Sequence, residues 1–160
     1  MAMFRALLCV VIVMALGCGA SSPSTHARDA QSRSTDGPLH GFDPRAYYDR
    51  RALTTQRGAA SYYADFFADR LTANGERYDP DAYTAAHRSL PFGSVVRVVY
   101  EKTGAWVLVR INDRGPYVKG RIIDLSRKAA TRLSMIRDGV VGVRVELLER
   151  GDGKYVRSTR

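Results

Sequence analysis

At 160 residues with a formal net charge of +9 and 45% hydrophobic residues, the chain is the size of one ordinary domain, and its apolar content excludes wholesale disorder. The charge is dispersed, with no purely basic run of five, so it fits either a solvated, mildly basic surface or a polyanionic partner, nucleic acid included on charge alone. The two cysteines, Cys9 and Cys18, both lie near the start, so nothing from Gly19 onward can form a disulfide and the folded part must be held by its core.

Residues 1–18 read as an export signal. Arg5 supplies a short positive region, and residues 6–16 are continuously apolar. That run is shorter than the ~20 residues a membrane helix needs, but it suits the apolar core of a signal peptide. It ends at Ala15-Leu16-Gly17-Cys18, which resembles the lipobox of bacterial lipoproteins. The resemblance implies cleavage before Cys18 and acylation of its thiol. The alternative is an ordinary signal peptide cut nearby. The expected location is therefore the bacterial cell envelope, with the chain anchored to a membrane through Cys18. Gly19 in place of Asp points, by analogy with Gram-negative sorting, to an outer membrane where the source has one.

Residues 19–57 are rich in Ser, Thr, Asp, Arg and Pro and show neither helical nor strand periodicity. Such a segment buries too little surface to offset its ordering entropy, so it is expected to be a disordered tether, with Tyr47-Tyr48 simply part of it.

From residue 58 the pattern turns to strands. Val95–Tyr100 and residues 105–111 are dominated by β-branched and aromatic side chains and are separated by Glu101-Lys102-Thr103-Gly104, which predicts a hairpin. On its second strand Val107, Val109 and Ile111 share one face and Trp106, Leu108 and Arg110 the other. Two largely apolar faces fit a strand of a small closed barrel with something packed outside it. Ser126 is a candidate N-cap for a helix over 127–133, in which Ala129, Ala130 and Leu133 share a face. Val141, Val143, Val145 and Leu147 alternate with Gly142, Arg144 and Glu146 in a final strand. The fold class is mainly β: a small barrel over 58–148 with one or two short helices, followed by a short tail over 149–160.

Polar residues concentrate in the turns. Asn74-Gly75-Glu76 and Tyr78-Asp79 share one loop, His87 precedes Leu90-Pro91-Phe92-Gly93, Asn112-Asp113-Arg114-Gly115-Pro116 ends a strand, and Asp124 interrupts an apolar run. Carboxylates at strand ends are what glycosidic-bond cleavage requires, one group protonating the leaving oxygen and another acting on the sugar. Spacing leaves alternatives open: an Asx-turn for Asp113, a helix cap for Asp124, a solvated loop position for Glu76, a structural hydrogen-bonder in His87. His26, His40 and His87 are scattered, no metal-ligand spacing is present, and no triad, P-loop or dinucleotide motif occurs.

Ala60-Ser61-Tyr62-Tyr63, Thr72-Ala73-Asn74-Gly75-Glu76, Thr84-Ala85-Ala86-His87, Leu90-Pro91-Phe92-Gly93, Arg110-Ile111-Asn112-Asp113-Arg114-Gly115-Pro116 and Gly120-Arg121-Ile122-Ile123-Asp124-Leu125-Ser126 resemble, in order and spacing, the rare lipoprotein A family. The resemblance implies a six-stranded double-psi β-barrel and a lytic transglycosylase that cleaves the MurNAc–GlcNAc bond of peptidoglycan strands stripped of stem peptides, leaving 1,6-anhydro-MurNAc. The alternative it carries is a non-catalytic, expansin-like glycan binder. It implies catalytic roles at Glu76, His87 and Asp113, with Asp124 matching the groove aspartate of related barrels. Tyr62, Tyr63, Asn74, Asp79 and Arg114 are the candidate substrate-binding residues. The working expectation is that Asp113 and Glu76 share the proton transfers, His87 orients or relays, and Asp124 is the rival to Asp113. Tyr62-Tyr63-Ala64 and Phe67-Ala68-Asp69 stand where the family has Trp-Tyr-Gly and Phe-His-Gly, at the expected edge of the groove. Many family members also carry a C-terminal SPOR domain, which the short 149–160 segment is not expected to supply. No cofactor, metal, nucleic-acid partner or obligate protein partner is expected; the expected partners are glycan strands and, through Cys18, a membrane.

Overall fold

The computed structural model describes residues 44–64 and 67–155. The signal peptide, Cys18 and the 19–43 stretch of the expected tether lie outside the described residues.

Six strands close into a barrel in the order β1-β5-β2-β4-β3-β6. They are β1 (Thr54–Tyr62), β2 (Thr84–His87), β3 (Val95–Tyr100), β4 (Trp106–Asp113), β5 (Arg121–Leu125) and β6 (Val141–Glu149). The β1/β5 and β2/β4 pairs are parallel, and the other four contacts are antiparallel. The expected six-stranded barrel is found. The expected hairpin is β3–β4, with Val99 opposite Trp106 and Gly104 at positive φ (74°) in the turn.

The core is made of β-branched and small residues that suit a pleated, fully covered face. Val96, Val98, Val109, Ile111, Ile123, Val143 and Val145 are all buried in it. The expected helix is α1 (Arg127–Arg132), capped at its N-terminus by Ser126 Oγ, which accepts from Ala129 N at 3.2 Å. Ala129, Ala130 and Leu133 seal the barrel. Ser126, not Asp124, supplies the cap. Among the described residues no helix is long and apolar enough to cross a membrane.

The expected tether boundary is corrected. Residues 44–57, assigned to the tether, are ordered: Pro44–Tyr47 forms a 3-10 turn, and β1 begins at Thr54 rather than near residue 58. Tyr47 is buried with Val95, Leu108 and Leu148 in a second apolar cluster on the outer face of the barrel. Tyr48 meets Trp106 edge-on at 5.4 Å. Arg97 Nη2 donates to the carbonyls of Tyr47 and Tyr48 at 2.9 and 2.8 Å, and the Tyr47 hydroxyl donates to Glu149 at 2.9 Å. This strap is what packs outside the doubly apolar β4. The 149–160 tail also starts inside the fold. Glu149 ends β6, Gly151 N donates to Ser94 Oγ, and Gly153 N donates to the Phe92 carbonyl. A β-carbon at Gly151 would fall 2.0 Å from that carbonyl oxygen, so only glycine fits there.

Candidate active site

Strand register assembles one row across four strands. Asp113 on β4 lies opposite Ala86 on β2, Ala86 opposite Asp124 on β5, and Asp124 opposite Ser61 on β1. Their neighbours Ile111, Ala85, Ile123, Leu125 and Ala60 all point into the core. Alternation along each strand therefore puts Ala86, Asp124 and Ser61 on the outward side of the barrel wall, where Ala86 and Ser61 are themselves covered.

Asp113 reaches that side only because β4 carries a bulge. Val107, Val109 and Ile111 face inward, and strict alternation would send Asp113 inward as well. The register with β2 slips between Ala85, opposite Ile111, and Ala86, opposite Asp113, so that Asn112 is the extra residue. A bulge re-aims the side chains that follow it. Asp113 and Asp124 thus flank the methyl group of Ala86, two strand spacings apart, or roughly 10 Å between α-carbons.

Each aspartate is held by a hydroxyl from the end of β1. Ser61 Oγ donates to Asp124 Oδ1 at 2.5 Å, and the Tyr63 hydroxyl donates to Asp113 Oδ2 at 2.6 Å. Burial, then the bond to Asp113 and its charge, push the Tyr63 phenol far above its ordinary range, so it stays protonated and donates. Asp113 Oδ1 also accepts from the backbone N–H groups of Ala73 and Arg114 at 2.7 and 2.8 Å. The second of these is a local turn contact of the kind expected from Asn-Asp-Arg-Gly-Pro. Asp124 Oδ2 accepts from Arg121 at 3.0 Å. Both carboxylates line an open groove of about 380 Å³. One wall is Phe67, Arg70 and Leu71, and the other runs from Arg114 to Tyr117.

Most of the remaining sequence candidates fall elsewhere. Glu76 does not line this groove. Its carboxylate forms a two-pronged pair with Arg110 (2.8 and 2.9 Å) and accepts from Asn112 Nδ2 at 2.9 Å. Burial raises its pKa, but the Arg110 and Asn112 bonds, the Arg110 charge and Asn74 outweigh this and hold it below the ordinary value. Asn74 is buried, and its Oδ1 accepts from Thr72 Oγ1 and Glu76 N, bracing the same loop. His87 is buried, with Nδ1 accepting from the Ser89 and Leu90 amides and Nε2 facing Gln56 Oε1 at 3.3 Å. Burial, then Arg114 and Arg88, lower its pKa, so the ring is neutral at pH 7 and organises a turn. The Tyr62 hydroxyl donates to the Ile136 carbonyl. Asp79 is an exposed turn residue receiving Asp81 N. Arg114 does border the groove, its guanidinium lying 3.6 Å from the centre of the Phe92 ring and donating to the carbonyls of His87 and Leu90.

Sequence reasoning missed Ser61, Arg121 and Tyr117. Ser61 is found only through register, because its partner Asp124 is on a strand paired in parallel with β1, whereas Arg121 reaches Asp124 from three residues earlier on the same strand. Among the described residues no three His, Cys, Asp or Glu side chains are grouped to hold a metal ion. Chemically, the site offers two separately held carboxyl groups facing one open, partly cationic cleft. They stand on strands two spacings apart, so they face different points along the groove.

Comparison with known proteins agrees with this architecture. The chain is 48% identical over 138 residues to the Nostoc sp. protein named "Probable endolytic peptidoglycan transglycosylase RlpA", covering 82% of this chain and 36% of that protein. It is 47% identical over 102 residues to the "Endolytic peptidoglycan transglycosylase RlpA" of Neisseria meningitidis serogroup A, covering 64% of this chain and 43% of the relative. The chain thus spans well under half the length of these curated relatives. Among solved structures, the Streptomyces papain inhibitor shares the fold with a TM-score of 0.52 at 24% identity, covering 63% of this chain and 100% of that one. Residues 55–145, nearly the whole barrel, match the family described as "Lytic transglycolase", and the chain belongs to that family of double-psi β-barrels.

Proposed function

We propose that the chain is an endolytic peptidoglycan transglycosylase, cleaving between MurNAc and GlcNAc of glycan strands, denuded ones in the first instance. The observation that carries this reading is the pair Asp113 and Asp124, facing one open groove across Ala86. The names and near-50% identity of the relatives support it. In the reaction the C1–O4 bond breaks and the C6 hydroxyl of MurNAc bonds to C1, closing the anhydro ring. One proton leaves O6, one arrives at O4, and no water is consumed. Asp113 and Asp124 divide these two transfers, with Tyr63 and Ser61 fixing their orientation. Glu76 is assigned instead to holding the 72–77 loop against β4.

The test is digestion of purified denuded glycan followed by mass spectrometry. Products ending in anhydro-MurNAc are expected. Binding without any such product would replace this reading with an expansin-like glycan binder.

The apolar run ending at Gly17-Cys18 supports a second part of the reading, lipid attachment at Cys18 and residence at a bacterial membrane facing the wall. Acyl chains contribute about 0.8 kcal/mol per buried CH₂, so a multiply acylated cysteine would hold firmly. Cys18→Ala should shift the protein from the membrane to the soluble fraction or block its processing. Wild-type protein found free in the periplasm would sink this part.

A further inference from the structure

Tyr117 is 80% exposed, the most exposed of the large hydrophobic side chains among the described residues. Single exposed aromatics are ordinary on protein surfaces. This one differs in two respects. It lines the groove that holds Asp113 and Asp124, and the backbone that presents it is fixed from below.

The fixing comes from Arg88, just past the end of β2. Its Nε donates to the Pro116 carbonyl, and its Nη2 donates to the carbonyls of Val118 and Arg121 at 2.8 and 2.9 Å. One guanidinium thus ties down the residue on each side of Tyr117 and the start of β5. The flat fork of arginine suits several carbonyls at once in a way that the point charge of lysine does not. Gly115, at φ +125°, completes the arrangement. A β-carbon there would stand 4.0 Å from Tyr117 Cε2, so one edge of the ring borders the glycine.

We propose that Tyr117 is a sugar-stacking platform of the groove, and that Arg88 is the positioning residue that holds it in place. The ligand is the apolar C–H face of a pyranose ring in a glycan strand, next to the sugar acted on by the two aspartates. An aromatic ring offers such a face a large contact at small entropic cost, because only two torsions need to be fixed. The inference rests on the reading that this groove takes a glycan. It goes further in naming a subsite on the loop between β4 and β5, where no catalytic group resides.

The test measures binding and turnover separately on the full chain with purified denuded glycan. Tyr117→Ala should weaken binding by about tenfold, as expected for loss of roughly half an aromatic side chain's contact, and raise KM more than it lowers kcat. Tyr117→Phe should recover most of that loss, because the ring is what matters. Arg88→Ala should weaken binding when Tyr117 is present and add nothing in the Tyr117→Ala background. If Arg88→Ala does not fold, Arg88→Lys takes its place in the same cycle. Unchanged binding by Tyr117→Ala overturns the platform. A loss in Tyr117→Phe as large as in Tyr117→Ala does so too. An Arg88 effect that persists in full without Tyr117 overturns its positioning role. Glycan binding that depends on Tyr117 without release of anhydro products upholds the platform while refuting the transglycosylase. Turnover that ignores Tyr117 does the reverse.

Discussion

Glu76 and Asp113 are anchored to the same end of β4, yet their surroundings differ in kind. Glu76 is neutralised by a two-pronged contact with Arg110 and a third bond from Asn112. Asp113 is held by a phenol and two backbone amides, all uncharged donors, and it opens onto the groove. A carboxylate closed off by a cation is a strut, since its charge is already matched and its oxygens are occupied. A carboxylate oriented by neutral donors at a groove wall keeps its reactivity for a ligand. The difference lies in the partners and not in the residue type, which is why both stood equally as candidates in the sequence.

The sharpest break of this comparison is Asp113→Asn. A general acid–base group contributes about 10²–10⁴ in rate, so anhydro-glycan release should fall by that order, far beyond what the stability lost by setting an amide against the donors on both oxygens would explain. Glu76→Gln should show the converse pattern. Removing a partly buried charge from opposite Arg110 should cost about 1–3 kcal/mol in urea unfolding, between the values for surface and fully buried pairs, with a smaller loss of turnover. In Glu76→Gln, turnover as low as in Asp113→Asn together with wild-type stability would make Glu76 a reacting group.

The same strut has a pH signature. The folded-state pKa of Glu76 lies below its ordinary value of 4.5, so the unfolded chain binds more protons between the two. The stabilisation is complete above pH 4.5 and is lost as pH falls through the lowered folded value. Glu76→Gln should lack this acid step in a pH series of urea midpoints. Tyr63→Phe is a gentler probe of the other side. It keeps the ring against Phe67 and Tyr78 but removes the donor to Asp113, and a rate loss of about tenfold is expected from one buried hydrogen bond. An unchanged rate would show that the backbone amides alone orient Asp113.

The smallest effect belongs to His87, a second strut. Its folded pKa lies below 6.5, so stability is complete above that pH and declines as pH drops towards the folded value. His87→Asn should flatten this decline. If instead it abolishes turnover at pH 7 while the fold persists, the ring takes part in the chemistry.

Much of the barrel was legible in the sequence because its elements follow a period. The β3–β4 hairpin, α1 with its Ser126 cap and the alternating β6 all fall close to their expected places. The start of β1 was not legible, because Thr54 to Arg57 are polar and exposed and join β6 through backbone bonds that side-chain pattern does not reveal. The strap was missed for a related reason: two tyrosines in a polar stretch carry no periodicity, and their partners Leu108, Trp106 and Leu148 lie far along the chain. At the site, motif order singled out Asp113, Asp124, Glu76 and His87 together. Only the fold separates them: strand register places Ala86 between the two aspartates, long-range hydrogen bonds tie Glu76 to Arg110 and Asn112, and local ones tie His87 to its own turn.

The extra residue at Asn112 makes the reactive end of β4 a matter of counting as well as identity. Deleting Asn112 would leave the aspartate beside Ile111 on the outer face, but one residue further back along β4, away from the Tyr63 hydroxyl and the Ala73 amide that hold it, and would remove the carbonyl to which Asn74 N donates. Chain length at this point is therefore under a constraint that scanning by substitution would never reveal. The Glu101–Gly104 turn at the other end of the strand is exposed, and its side-chain ties beyond the hairpin, Glu101 to Arg57 and Lys102 to Asp138, are surface pairs, so it should tolerate a gain or loss of residues better. A library that admits single-residue insertions and deletions should find β4 rigid in length at one end and permissive at the other.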